Sequence, residues 1–388
     1  MIAYLKKNEE KDVLNGFPWI YRNEVERLEG EIVSGGNVLV RDYLGNFVAV
    51  GYLNLASKIL IRVLSLKDEA LDSAFFEKRI QDAYNHRKNL GIDKACRLIF
   101  SEADYLPGLV VDKYNDYLVV EFATLGMEIR KQLIIDTLNK VVKPLGIYER
   151  SDTLSRGKEG LPEVRGFIGN SFEEVQIIEE NEFKLAVDIV NGQKTGHFFD
   201  QRQNRALLKK YVKDKEVLDL FCHTGSFSMH ASGYGASIVT SVDISKTAIE
   251  SVKRNASLNG FNNINPVVCD VFDYLDQELE KNKQYDVIIL DPPAFTKNKD
   301  TLNKAYKGYL NINSNAIKLV KDGGYLFTFS CSGHLTLDLF LQMIKEASVK
   351  SKRKIQLVDL RIQSADHPVL VSGLENLYLK CAVIRVLD

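Results

Sequence analysis

No apolar run in the sequence approaches the roughly 18 residues that a membrane helix requires, so no membrane association is expected. The opening residues Met1 to Glu10 lack the apolar stretch of a secretory signal, and a cytoplasmic protein is the expectation. The five cysteines (Cys96, Cys222, Cys269, Cys331 and Cys381) are scattered and include no C-x-x-C pair. An odd, dispersed set argues against a disulfide framework and against a zinc site, so no metal is expected. Excess charge is missing too: 51 Lys+Arg against 52 Asp+Glu leave a net −1. Residues 186–388 carry 26 basic and 22 acidic groups, residues 1–185 carry 25 and 30, and neither balance announces a nucleic-acid binder. Two basic clusters, Lys209-Lys210 with Lys213 and Lys215, and Lys350 with Lys352-Arg353-Lys354, read equally as solvated faces or as a phosphate track.

What is present is a globular composition, 45% hydrophobic and 27% charged over 388 residues, enough for two or three domains. Residues 1–70 read as all-β. Val38–Asp42 and Phe47–Tyr52 flank a Gly45-Asn46 turn, and Ile59–Leu64 is a further strand. Residues 71–185 read as an α+β domain. It has helices over 74–90 and 128–142, strands at 109–112, 117–122 and 146–149, and a connecting loop over 151–170. From 186 to 388 strands alternate with helices, the pattern of a doubly wound α/β parallel sheet. Its last two strands, 355–360 and 377–384, have no helical pattern between them and are expected to pair antiparallel at the sheet edge.

Ligands of such sheets bind beyond the carboxyl ends of the strands. The first turn, Asp219-Leu220-Phe221-Cys222-His223-Thr224-Gly225-Ser226-Phe227, lacks a full G-x-G-x-x-G, so a phosphate cradle is poorly supported. One glycine and the N–H groups of the following helix suit a carboxylate, and Asp219 could hold an ammonium. Asp243, with Ile244 and Ser245, ends the second strand where ribose hydroxyls could be held, and Asp270-Val271 ends the third near an adenine edge. Carboxylates at three successive strand ends describe S-adenosylmethionine better than a dinucleotide.

Two further strand ends carry chemistry. Val287–Leu290 runs into Asp291-Pro292-Pro293-Ala294-Phe295, and Phe327–Ser330 runs into Cys331. Consecutive prolines make the first turn rigid. Asp291 and Pro292 could border the cofactor, while Pro293 and Phe295 could meet a base. A thiolate adding at C6 of a pyrimidine would activate C5 for methylation, with Cys331 as nucleophile, Asp291 holding the ring and Glu375 as the base. The alternative for Cys331 is a buried structural thiol; for Glu375 it is a surface loop.

The sequence resembles the RlmI-like family of bacterial 23S ribosomal RNA cytosine-5 methyltransferases over nearly its full length. The landmarks are Phe17-Pro18-Trp19, Glu102-Ala103-Asp104-Tyr105-Leu106-Pro107-Gly108, Tyr148–Asp152, Lys194-Thr195-Gly196-His197-Phe198-Phe199-Asp200-Gln201-Arg202, Asp291–Phe295, Thr328–Gly333 and Ala365-Asp366-His367-Pro368. The resemblance implies a PUA-like RNA-binding barrel, a central α+β domain and a class I (Rossmann-like) methyltransferase domain. It also implies Cys331 as nucleophile, and a strand-turn over 194–202 whose His197, Phe198, Asp200 and Arg202 edge the cofactor pocket. Glu375 matches, more remotely, the base of uracil-5 RNA methyltransferases. Ala294 departs from two-cysteine RNA cytosine methyltransferases, and Cys222-His223 departs from the tyrosine- or serine-type residues of many relatives. Large-subunit ribosomal RNA is the expected partner, and a homodimer is compatible with the chain. Two other readings stay open: methylation of a guanine or adenine nitrogen with Cys331 structural, or a catalytically silent RNA-binding assembly protein.

Overall fold

The protein is described by a computed structural model covering residues 1–295 and 301–388. Its residues fall into two compact units. The first comprises 1–178, 187–199 and 365–376, and the second 179–186, 200–364 and 377–388. Residues 1–178 group together in the first of these units.

The reason for that grouping is a shared core. The six-stranded N-terminal sheet runs in the order Trp19–Tyr21, Ile59–Ser65, Phe47–Leu53, Asn37–Arg41, Ile2–Leu5, Val25–Glu29. Tyr52, from its third strand, is buried among Phe76, Leu98 and Met127 of the following segment. Its hydroxyl donates to the Pro107 carbonyl at 2.6 Å, and a Cβ on Gly126 would lie 2.1 Å from its ring. The second sheet of this unit has five strands, Val164–Ile168, Gly146–Ser151, Tyr117–Phe122, Leu109–Tyr114 and Ala95–Phe100. Val164–Ile168 lies within the segment expected to be a loop. It pairs antiparallel with Gly146–Ser151, and the loop before it is pinned by the buried Arg156, which donates to Pro162 O and Glu128 Oε2. The helix expected over 128–142 is broken at Arg130 into Leu125–Glu128 and Lys131–Val141, with the Arg130 guanidinium donating to Gly35 O and Gly126 O.

The second unit is built on a seven-stranded sheet: β1 (Glu216–Leu220), β2 (Ile238–Asp243), β3 (Ile264–Val268), β4 (Tyr285–Leu290), β5 (Val320–Ser330), β6 (Lys354–Arg361) and β7 (Lys380–Leu387). The spatial order is β3-β2-β1-β4-β5-β7-β6. Strands β1 to β5 are parallel, and β7 pairs antiparallel with both β5 and β6. The expected edge pair is present, although residues 362–379 separate its strands. Helices α1 (Arg202–Leu207), α2 (Ser226–Gly233), α3 (Lys246–Asn259), α4 (Val271–Glu280), α5 (Leu302–Leu319) and α6 (Leu337–Ser351) belong to this unit. Strand alternation feeds two cores: Leu218, Leu220, Ile288, Leu326 and Ile384 pack with α5 and α6, while Val217, Ile289, Phe327, Phe329 and Val383 pack with α2. Among the described residues no helix is long and apolar enough to cross a membrane.

Candidate active site

Register decides the site. Leu220 pairs with both Val242 and Leu290, Leu290 with Thr328, and Asp243 with Val268, so the carboxyl ends of β1 to β5 form one rim. Along it stand Asp219, Asp243, Asp270, Asp291 and Cys331.

The turn after β1 has positive φ at Phe221 (59°), His223 (50°) and Gly225 (80°), a conformation costing about 1–3 kcal/mol at each non-glycine and characteristic of ligand clamps. At Gly225 a Cβ would also approach Val252 Cγ2 to 3.0 Å. Asp243 is the brace of this turn: Oδ2 accepts from His223 N and Oδ1 from Ser245 N, both at 2.9 Å. Asp270 caps α4 by accepting from Phe272 N at 2.8 Å, and Ser245 caps α3 through Ala248 N. Ile244 is largely exposed beside them. Phe227 and Val271 are buried in the two cores, so their side chains are not offered to a ligand. Thr224 and Ser226 are half-buried at the helix mouth.

Asp219 is 1% exposed, and its Oδ2 accepts a 2.5 Å hydrogen bond from Ser228 Oγ. Its Oδ1 is buried without a hydrogen-bond partner among the described residues. Burial raises its carboxyl to about 7, against the opposing Ser228 bond and helped by the charges of Asp291 and Asp243. An unsatisfied acceptor on an uncompensated acid fits an incoming ammonium, which would satisfy the oxygen and restore the charge. S-adenosylmethionine carries that group beside a carboxylate suited to the α2 mouth. Cys222, next in the turn, is buried, and burial pushes its thiol well above the usual range, which disfavours a thiolate there.

Asp291 follows β4 and its Oδ2 accepts from Gln201 Nε2 at 3.0 Å. Pro292 is buried and Pro293 exposed. Phe295 packs against Tyr309 (4.5 Å between ring centres) and Phe272 (6.2 Å), which commits much of its ring to the core rather than to a base. Cys331 follows β5 and is half-buried. Tyr309, on α5, links the two ends: its hydroxyl approaches Pro293 O at 3.4 Å, and burial pushes its phenol up to about 12. A hydrogen bond with Ser330 opposes that rise, and the charges of Cys331 and Asp291 both add to it.

The segment 194–202 is not a strand. Positive φ at Lys194 and Gly196 breaks extension, and a 3-10 turn at Phe199–Gln201 leads into α1. Within the first unit His197 N donates to Tyr114 Oη at 3.0 Å, and the Lys194 ammonium lies 4.8 Å from the Phe198 ring. Within the second, Asp200 Oδ2 accepts from Tyr378 Oη at 2.5 Å, and Arg202 Nε lies 3.7 Å from Glu180 Oε2. Glu375 belongs to the first unit, on a short 3-10 turn at Leu374–Asn376, where its charge adds to the burial that raises the Tyr21 phenol.

Sequence reading missed Gln201, Ser228, Tyr309 and Lys380. Only Lys380 left a signal there, a cation inside the apolar run Leu377 to Ile384.

The chain matches the family description "PUA-like domain" over residues 3–66 and "S-adenosylmethionine-dependent methyltransferase" over residues 163–359. Ribosomal RNA large subunit methyltransferase I of Tolumonas auensis is 39% identical, the match covering 99% of this chain and 99% of that protein. The protein of the same name from Klebsiella pneumoniae strain 342 is 40% identical over 99% and 98% of the two chains. A solved structure described as a methyltransferase in complex with SAH is 26% identical, with a TM-score of 0.86 over 99% of this chain and 100% of that one. The PUA-like and class I expectations and the expected cofactor are thereby borne out. With such identity along almost its whole length, the chain belongs to the ribosomal RNA large subunit methyltransferase I family of S-adenosylmethionine-dependent methyltransferases.

Proposed function

We propose that the protein forms 5-methylcytosine in large-subunit ribosomal RNA, in the bacterial cytoplasm, with Cys331 as covalent nucleophile. The observation carrying this reading is that Cys331 and Asp291 end adjacent parallel strands and both act on the Tyr309 hydroxyl. Asp219, Asp243 and the Gly225 turn would hold the cofactor, which when bound supplies the electrophilic methyl group.

C5 of cytosine is a poor nucleophile. In this scheme the target base is flipped out of its stack, and the Cys331 thiolate adds at C6, placing electron density on C5. Asp291 would steady the ring by accepting from the exocyclic amine, or from N3 once that nitrogen is protonated, while exposed Pro293 limits the ring's approach. After methylation the C5 proton is removed, for which Glu375 is the candidate base, and the carbon–sulfur bond breaks to return the thiolate. The N-terminal 1–70 segment would grip neighbouring RNA. As a homodimer the protein would sediment at twice the 43.9 kDa chain mass.

The test is Cys331→Ala, expected to abolish RNA methylation while leaving cofactor affinity within twofold by calorimetry. Bisulfite sequencing of ribosomal RNA from wild-type and deletion strains should show one 5-methylcytosine lost. Near-normal turnover by the variant, or loss of an amine methyl instead, would replace the covalent scheme with nitrogen methylation. RNA retention with no calorimetric response to S-adenosylmethionine would indicate an assembly protein.

A further inference from the structure

Lys380 opens β7 opposite Ser330, the last residue of β5, and is 4% exposed. Its Nζ donates to the Ser332 carbonyl at 2.5 Å, so the side chain spans the stretch containing Cys331. Among the described residues no carboxylate lies within ion-pairing distance of it. Burying an ammonium without a counter-ion is costly, and such groups are retained where an anion forms or a proton moves. The group whose negative charge acts on Lys380 is Cys331, and burial, only partly opposed by that charge, lowers the lysine to about 8.

We infer that Lys380 is the positioning residue that turns Cys331 into a thiolate, acting as its proton acceptor and then its counter-ion. The inference rests on Cys331 being the nucleophile. The neutral amine takes the thiol proton: the S–H bond breaks, an N–H bond forms, and an ammonium–thiolate pair remains with no net change of charge. When the cysteine later leaves C6, the ammonium is still in place to receive it. Among the described residues, the charges of Cys331 and of Asp291 at the end of β4 both bear on Tyr309 from α5, and Tyr378, packed on the same core as Cys331, donates to Asp200. Tyr309 is held protonated, and the acids oppose a thiolate. Lys380 is therefore the group among these that favours one.

The test uses the full-length protein without RNA. Carbamidomethylation of Cys331 by iodoacetamide is followed by peptide mass spectrometry from pH 5.5 to 10 for wild type, Lys380→Met and Lys380→Arg. The expected result is an inflection at least one pH unit higher in Lys380→Met, with alkylation about tenfold slower at pH 7. Lys380→Arg, whose guanidinium keeps the counter-charge but cannot accept the proton, should show an inflection no higher than wild type and, assayed with RNA, reduced methylation turnover. Coupling between two titrating groups is reciprocal, so Lys380 in Cys331→Ala, followed by NMR with ¹³C-labelled lysine, should titrate lower than in wild type. This second measurement decides the matter if Lys380→Met does not fold. Unmoved titrations of both groups would overturn the pairing while a dead Cys331→Ala enzyme kept the covalent scheme. A shifted thiol titration alongside an active Cys331→Ala enzyme would keep the pairing and remove the scheme it serves.

Discussion

Asp219 is a buried acid whose Oδ1 has no hydrogen-bond partner among the described residues. Its folded carboxyl titrates near 7 and its unfolded one near 3.8, so the native state keeps a proton that the unfolded chain has lost. Between those values stability falls as pH rises, with the contribution complete below about 4 and gone above about 7. Each pKa unit corresponds to about 1.4 kcal/mol, so the effect is of order a few kcal/mol. The unliganded protein should therefore melt at progressively lower temperature from pH 4.5 to 7.5, and Asp219→Asn should flatten that slope. The same variant should bind S-adenosylmethionine about 10- to 100-fold more weakly, since an amide cannot pair with the ammonium. Below pH 7 wild-type binding should release a proton, visible as a calorimetric enthalpy that varies with the buffer's ionisation heat. An unchanged melting slope in the asparagine variant would show that the buried acid is not the titrating group.

At the scale of elements, α5 must be held against β5 for Tyr309 to reach the ends of both β4 and β5. Thr328 Oγ1 donates to Asn313 Oδ1 at 2.6 Å, both side chains are fully buried, and Asn313 Nδ2 donates to Tyr309 O. Thr328→Val keeps the volume but strands the amide oxygen, at a cost of about 1–3 kcal/mol. The expected outcome is a lower denaturant midpoint with an unchanged slope, and turnover reduced more than cofactor affinity. Equal stability would mean that water replaces the hydroxyl. The strands on either side of this joint were legible in the sequence because each is a continuous apolar run ending in a polar residue, and Asp291 and Cys331 were found on that basis. Lys380 was not, because its meaning depends on β7 lying antiparallel to β5, a long-range pairing that local pattern does not contain. Val164–Ile168 was hidden for a related reason: Arg165 and Gly166 interrupt the alternation, and an edge strand needs only one partner. The core positions of Phe227 and Val271 follow from helix facing, which a motif reading ignores.

For the molecule as a whole, the question left by its near-zero charge is where RNA phosphates could be met. Strand direction answers it for the second unit. Lys213 and Lys215 immediately precede β1, and Lys352 and Lys354 stand at the start of β6. β6 runs antiparallel to β7, whose first residue pairs with Ser330 and whose end pairs with Lys354. Both basic clusters therefore stand at the amino ends of the parallel strands, across the sheet from the rim carrying Cys331. In the second cluster Arg353 is already spent on Val320 O, Leu387 O and Asp388. A phosphate track serving the rim proposed to be catalytic would not be built there, and these lysines read as solvated ends. Gln replacing Lys213 and Lys215 together, or Lys352 and Lys354 together, should leave RNA affinity and turnover within twofold. A true phosphate contact would instead lower the slope of log affinity against log salt by about 0.7–0.9 per residue. Filter binding from 50 to 200 mM salt distinguishes the two. A loss above tenfold with a reduced slope would mean that the RNA path extends round to the far rim.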